Sequence, residues 1–103
     1  MKRGEVHWYR FARPDKNRPV VVLTRDSAVE FLREVTVAPI TSTIRDIPTE
    51  VFLTKEDGMP KDCAVNLDHL QTVSKGKIGP LITTLSSAKM SELRSALLFA
   101  LGF

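Results

Sequence analysis

The stretch Asn17-Arg18-Pro19-Val20-Val21-Val22-Leu23 joins a basic residue and a proline to a short continuous apolar run. A run of this length without polar alternation is typical of a strand that is buried on both faces. Proline fixes its own φ and biases the residue before it towards extended geometry. The stretch therefore predicts a strand over residues 19–23, with Arg18 held rigidly at its start.

A second β-rich stretch ends in a run of hydroxyl side chains. Residues 35–40 read Val-Thr-Val-Ala-Pro-Ile, and Thr41, Ser42 and Thr43 follow directly. β-Branched residues favour strands, and a proline suits a strand end or edge. We expect a strand over residues 35–40 whose polar end can meet Arg18.

The rest of the chain continues in short strand-like segments and finishes in a helix. Strands are predicted over residues 5–11, 49–53, 64–67, 70–73 and 78–85, with loops or turns over residues 12–18, 24–27, 44–48 and 55–60 and the start of a helix over residues 28–32. From Ser86 or Ser87 the spacing becomes helical, and Gly102 is the expected stop. The predicted core stripe of this helix is Met90, Leu93, Leu97, Ala100 and Leu101.

Five to seven short strands and one helix predict a mainly β (α+β) fold. The expected form is a small, bent antiparallel barrel or half-barrel with the C-terminal helix packed against it. Leu98 and Phe99 lie off the helix stripe. They could face a second chain, although a wider core stripe explains them equally well.

Length and composition indicate one globular domain over residues 1–103. The hydrophobic content is 43% and the charged content 26%. No apolar stretch approaches the roughly 18 residues that a membrane helix needs, and the N-terminus lacks the apolar segment of a secretory signal. Cys63 is the only cysteine, so we expect a small core residue and a reducing, cytoplasmic location.

Positive charge is concentrated in the first quarter of the chain. Residues 1–25 hold seven Lys or Arg against two acidic residues, a net charge of +5, whereas the remaining 78 residues carry −2. Such asymmetry is typical of a protein that binds a polyanion. A solvated basic face would account for the charge alone equally well.

Three short motifs, in order, resemble the MazF/PemK family of toxin endoribonucleases. They are Arg3-Gly4-Glu5-Val6, Arg18-Pro19-Val20-Val21-Val22 and Ala38-Pro39-Ile40-Thr41-Ser42, and the helix follows them at the C-terminus. The resemblance implies an SH3-like barrel with a terminal helix, a homodimer, and an acidic MazE-like antitoxin as partner. It also implies metal-independent, sequence-specific cleavage of single-stranded RNA to 2′,3′-cyclic phosphate and 5′-hydroxyl ends, which blocks translation and growth.

The resemblance also assigns site residues. Arg18 and Thr41 stand at the positions of the family's catalytic pair. RNA contacts are expected from the loop before Arg18 and from polar residues near strand ends: Arg13, Lys16, Asn17, Ser42, Thr43, Asp68, His69 and Gln71. The segment Asp68-His69-Leu70-Gln71-Thr72-Val73 resembles the family's acid-Gln-Ile-Arg-Thr-Ile segment, with histidine in place of glutamine. The chain has no Cys/His cluster, and we expect neither metal nor cofactor.

Several alternatives remain open at the level of sequence. His7 and His69 could form an acid–base pair, although a histidine among the aromatic residues of the first strand suits a structural role. Trp8, Tyr9 and Phe11 could stack on bases or belong to the core. A CcdB-like toxin that binds DNA gyrase, and a non-catalytic nucleic-acid-binding SH3-like module, would keep the same fold. The loop over residues 12–17 is short and lacks glycine, so the cleavage sequence cannot be transferred from the family.

Overall fold

The computed structural model describes residues 1–11 and 17–103. Seven strands, two α-helices and two 3-10 turns follow one another in these ranges. The strands are β1 (Glu5–Arg10), β2 (Asn17–Val22), β3 (Glu34–Thr41), β4 (Glu50–Leu53), β5 (Cys63–Asn66), β6 (Gln71–Ser74) and β7 (Ile78–Thr84), the helices are α1 (Asp26–Val29) and α2 (Ser87–Leu101), and the 3-10 turns span Lys55–Asp57 and Lys75–Lys77.

The strands form one bent antiparallel sheet in the order β4-β5-β3-β2-β1-β7. Strand β3 has two partners on its other side: its first residues, Glu34 to Val37, pair with β6, and its last two, Ile40 and Thr41, pair with β5. Because β5 and β6 share this side of β3, the sheet bends at β3. The path of pairings among the described strands does not close, so the half-barrel form of the predicted fold is the observed one.

Two apolar clusters hold the bent sheet together. The larger one includes Val6, Val21, Leu53, Val65 and Leu93, and so joins α2 to the concave side of the sheet. The smaller one contains Val20, Val35, Val37 and Val73 on the other face. Adjacent residues of β2 thus enter different clusters, which confirms that this strand is buried on both faces.

Helix α2 begins and ends where the sequence predicts. The Ser86 side chain accepts a hydrogen bond from the backbone N–H of Lys89, and Gly102 ends the helix in a left-handed conformation. Leu93 is buried, and Met90, Leu97 and Ala100 pack against the larger cluster. Leu101 was wrongly placed in the core stripe, because it is 55% exposed, and Ala96 is buried in its stead.

Several element bounds differ from the predictions. Strand β2 begins at Asn17, so Asn17 and Arg18 belong to the strand rather than to the preceding loop, because Arg10 and Tyr9 of β1 pair with them. The predicted turn over residues 24–27 and helix over residues 28–32 are replaced by one helical turn, Asp26–Val29. No helix in the described ranges is long and apolar enough to cross a membrane.

Candidate functional site

Arg18 and Thr41 lie at the same end of adjacent strands. Val20 of β2 pairs with Pro39 of β3, and Val21 with Ala38. Continued by two residues, this antiparallel register brings Arg18 opposite Thr41. On its other side Arg18 pairs with Tyr9 of β1. Pairing with β1 holds the backbone of the arginine, while its side chain remains exposed.

A cavity of about 310 Å³ opens at these strand ends, and we call it the Arg18 cavity. One wall comes from β1, β2 and β3, and the opposite wall from the segment that leads into β5. The lining residues are Trp8, Asn17, Arg18, Pro19, Ile40, Thr41, Ser42, Met59, Pro60, Lys61 and Cys63. Four of the predicted site residues, Asn17, Arg18, Thr41 and Ser42, therefore meet in one cavity.

A smaller cavity of about 170 Å³ shares Arg18 and Thr41 with the first, and we call it the His69 cavity. Its other lining residues are Pro39, Ile40, Arg45, Asn66 and His69. The Asn66 side-chain amide bonds to His69 Nδ1 at 3.2 Å, which orients the imidazole ring. With Nδ1 as acceptor, Nε2 of a neutral ring carries the proton and is a donor.

The remaining predicted contacts lie elsewhere. Thr43 is exposed, and its backbone N–H donates to Thr41 Oγ1 at 3.0 Å. Asp68 accepts a 2.7 Å hydrogen bond from the Thr49 hydroxyl, and Gln71 is exposed on β6. None of these three lines either cavity. The predicted phosphate contacts Arg13 and Lys16 lie outside the described residues.

Positive charge dominates the mouths of both cavities. Arg18 and Lys61 contribute to the first cavity, and Arg18 and Arg45 to the second. Arg45 has a carboxylate partner, since its Nη1 lies 3.8 Å from Oε2 of Glu50, whose side chain is buried. Among residues 1–11 and 17–103, neither Arg18 nor Lys61 has a carboxylate oxygen within 4.0 Å. An anionic ligand would therefore meet positive charge, since no carboxylate of the described residues neutralises these two side chains.

Cys63 is a buried, unpaired thiol in the wall of the Arg18 cavity. Burial, together with the nearby charges of Asp62 and Asp57, raises the pKa of the Cys63 thiol to about 11. The thiol is therefore protonated near neutral pH and is a poor nucleophile. It serves as a small core residue, as the sequence predicts.

His7 has a structural environment. The residue is 9% exposed, and its ring nitrogens contact Gly79 O at 2.9 Å and Glu5 Oε1 at 2.8 Å. Both ring nitrogens are occupied by β-sheet neighbours, and His7 is absent from the lining of both cavities. These contacts separate His7 from His69, which opposes the acid–base pairing of the two histidines.

Sequence reasoning missed the residues that form the far walls. Met59, Pro60 and Lys61 approach Arg18 because the turn at Gly58 folds the chain back before β5. Arg45 and Asn66 complete the His69 cavity. A basic residue between a proline and Asp62 was the only local signal for Lys61. Within the described ranges, no group of three or more His, Cys, Asp or Glu side chains is arranged to hold a metal ion.

Comparison with known proteins agrees with the fold and with the sequence motifs. The family model of the PemK-like, MazF-like toxin of type II toxin–antitoxin systems matches residues 2–101. The probable endoribonuclease MazF5 of Mycobacterium tuberculosis is 42% identical over 96 residues, which are 92% of this chain and 87% of that protein.

Solved structures extend the likeness to the whole backbone. The Mycobacterium tuberculosis toxin MazF-mt6 superposes with a TM-score of 0.88 at 32% identity, over 96% of this chain and 97% of that one. An endoribonuclease from a mycobacterial species, solved in complex with its cognate antitoxin, gives a TM-score of 0.91 at 25% identity, over 100% of this chain and 96% of that one. The chain belongs to the PemK-like, MazF-like toxin family of type II toxin–antitoxin systems.

Proposed function

We propose that this protein is a sequence-specific, metal-independent endoribonuclease that cuts single-stranded RNA and acts as the toxin of its toxin–antitoxin pair. The observation that carries the proposal is the pairing of Arg18 and Thr41 in the walls of the same two cavities. The endoribonuclease names of relatives at 37–42% identity support the reaction class.

RNA supplies its own nucleophile, the 2′-hydroxyl group. Cleavage needs a group that removes its proton, positive charge for the pentacoordinate phosphorus, and a proton for the departing 5′-oxygen. The Arg18 guanidinium would bind two phosphate oxygens with its planar fork and keep its charge at any working pH. Thr41 would donate a hydrogen bond from its neutral hydroxyl group to the same phosphate. The products would be a 2′,3′-cyclic phosphate and a 5′-hydroxyl.

Arg18 is assigned to charge stabilisation and proton donation, because a permanently protonated guanidinium is a poor base. His69 is assigned to a base-specific contact. Its Nε2 proton is a donor when Asn66 occupies Nδ1, and it stands in the cavity that also holds Arg18. Asn17 and Ser42 would contact the RNA on the side of the Arg18 cavity.

Membership of the family and the exposed surface of the chain support two protein partners, a second copy of the chain and an antitoxin. We propose a homodimer, since Phe99, Leu101 and Phe103 leave an apolar surface at the end of α2, with Phe99 62% exposed. We also propose an acidic antitoxin that competes with RNA for the basic strand ends. Residues 1–103 would act as one toxin domain in the cytoplasm and block translation by cutting RNA.

The test is RNA cleavage by wild-type and Arg18→Ala protein in excess EDTA, followed by analysis of the fragment ends. We expect wild-type cleavage to cyclic-phosphate ends and a loss of at least about 100-fold in the variant. Arg94→Ala is the control, because it removes the same charge from the exposed face of α2. Equal cleavage by wild type and Arg18→Ala would refute the assigned role.

The same experiment separates the rival functions. A gyrase poison would remain toxic after Arg18→Ala and leave RNA uncut. A binding module would bind RNA in a salt-dependent manner without cutting it. Cleavage that survives EDTA and stops with Arg18→Ala excludes both.

A further inference from the structure

A third cavity, of about 520 Å³, adjoins the Arg18 cavity at Trp8 and Asn17, and we call it the Trp8 cavity. Trp8 and Asn17 line both spaces, so these two residues lie at the border between them. The remaining lining comes from the end of β1, the 3-10 turn before β7 and the start of β7: Tyr9, Arg10, Lys77, Gly79 and Pro80. A strand of RNA that has its phosphate at Arg18 would extend past Trp8 into this space.

Trp8 differs from the other two aromatic residues of its segment. Tyr9 and Phe11 pack against the smaller apolar cluster, with their rings edge to face at 4.8 Å. Trp8 belongs to neither cluster and remains partly exposed. The indole is therefore available at the border of two cavities rather than consumed in the core.

The backbone behind Trp8 is fixed. The pairing of β1 with β7 shifts register on both sides of His7, and the His7 ring bridges the irregularity by bonding to Gly79 O and Glu5 Oε1. A Cβ at Gly79 would lie 2.9 Å from Trp8 O, so only glycine permits this close approach. A platform held in this way loses little entropy when a flat ligand stacks on it.

The charge around Trp8 is positive. Arg10 and Lys77 are exposed, and among the described residues no carboxylate oxygen lies within 4.0 Å of either cation. An aromatic face next to two cations is the combination that holds single-stranded nucleic acid, because the ring stacks on a base and the cations pair with phosphates.

We propose that the Trp8 cavity is a nucleotide subsite, in which the base next to the scissile phosphodiester stacks on Trp8 while Arg10 and Lys77 hold its phosphate. The inference rests on the proposed RNA cleavage and adds a specificity-determining platform to it. Sequence preference at this position would follow stacking strength, so purines would be favoured over pyrimidines.

Binding can be measured without cleavage. Trp8 is the only tryptophan of the chain, so its fluorescence reports on ligands that bind at the border of the Arg18 and Trp8 cavities. In the Arg18→Ala background, titration with a short single-stranded RNA should quench the emission, and an oligonucleotide with an abasic residue at the flanking position should quench it less. Quenching that does not depend on the presence of that base would overturn the proposal, whether or not the wild-type protein cuts RNA.

A cleavage assay supplies the second test. Trp8→Ala should lower kcat/KM by about 10-fold or more, and Trp8→Phe should restore most of it because it keeps an aromatic face. On a substrate that is abasic at the flanking position, 5′ or 3′ of the cut, wild type and Trp8→Ala should become equal. If Trp8→Ala instead lowers kcat/KM by the same factor on abasic and intact substrates, whichever flanking position is abasic, Trp8 acts structurally and the subsite is refuted.

The phosphate contact has its own readout. Lys77→Ala should weaken RNA binding and reduce the slope of log K against log salt by about 0.7. Arg94→Ala removes the same charge from α2 and should leave the slope of log K against log salt unchanged. An equal reduction by both variants would show long-range attraction only and would overturn the assignment of Lys77.

The subsite and the nuclease activity can fail separately. Absence of wild-type cleavage together with base-dependent quenching would retain the subsite and refute the nuclease.

Discussion

Thr41 Oγ1 accepts a hydrogen bond from the backbone N–H of Thr43, with 3.0 Å between nitrogen and oxygen. The bond uses a lone pair of the hydroxyl group and leaves its proton for another acceptor. It also fixes the side chain at the point where β3 ends, in the wall shared by the Arg18 and His69 cavities. The turn after β3 therefore orients the hydroxyl group that we assign to the phosphate.

Replacing Thr41 with valine should lower RNA cleavage by about 100-fold, because it removes one donor to the phosphate while it keeps the shape of the side chain. Thr41→Ser retains the hydroxyl group and should cleave within about 10-fold of wild type. Single-turnover rates at saturating RNA are the measurement. A serine variant that loses activity beside a valine variant that keeps it would show that the methyl group, and not the hydroxyl group, matters at this position.

Much of the fold could be predicted because local signals agree with tertiary structure. The apolar run of β2, the Ser86 cap and the Gly102 stop of α2 are readable from the sequence alone. The short helix α1 was misplaced, because four residues offer no helical period and its only apolar contacts, through Ala28 and Val29, are tertiary. Leu101 was misplaced because Ala100 already faces the larger cluster in the last turn of α2, and the next residue along the helix points away from it and is exposed.

The site was predictable only in part, for a similar reason. Arg18 and Thr41 stand next to recognisable strands, so their side-chain types and positions carry information. Lys61 and Arg45 reach the cavities through turns, whose course depends on contacts such as Gly58 against Thr83. The partition of the three aromatic residues between core and cavity depends on sheet register, which a single strand does not encode.

His69→Gln should preserve cleavage within about 10-fold and change the preferred sequence, because glutamine also offers a donor and an acceptor to a base edge. The comparison requires mapping of the cut sites in a long RNA and a pH–rate profile for both proteins. A loss of about 100-fold together with a changed pH–rate profile would instead identify His69 as an acid–base catalyst.

Gly58→Ala should destabilise the protein by at least about 2 kcal/mol, from the left-handed backbone and the lack of space. Gly58 has φ +94°, and a Cβ there would lie 2.7 Å from Thr83 Cβ. Gly76→Ala is the matched control, since its nearest contact would be 3.8 Å from Ser74 Oγ. Chemical denaturation measures both. Cleavage should also fall in folded Gly58→Ala protein, because Met59 and Lys61 follow this turn.

Alkylation of Cys63 should be more than about 100-fold slower in the native protein than in the unfolded chain near pH 8, because only the thiolate reacts. The raised pKa, about 11, and the 4% exposure of the residue both oppose the reaction. Mass spectrometry after timed treatment with iodoacetamide, with and without guanidinium chloride, gives the two rates. Rapid native labelling would mean that the wall of the Arg18 cavity opens.

Glu5→Gln should lower the free energy of unfolding by about 1 kcal/mol at neutral pH, because it removes the charge from a hydrogen bond to His7. Burial opposes ionisation of Glu5, but hydrogen bonds from His7 and the backbone of Lys2 outweigh it and lower the pKa from its usual 4.5.

The sign of the pH dependence follows from that lowered pKa. The ionised carboxylate stabilises the folded state fully above the unfolded pKa, and this contribution disappears as the pH falls through the lower folded pKa. The difference in stability between wild type and Glu5→Gln should therefore be largest near neutrality and shrink below about pH 4.5. Urea denaturation across this range measures it, with Glu30→Gln as an exposed control. A difference that is constant with pH would mean that the Glu5 side chain acts by shape and not by charge. In that case His7 would be held against β7 by its bond to Gly79 alone.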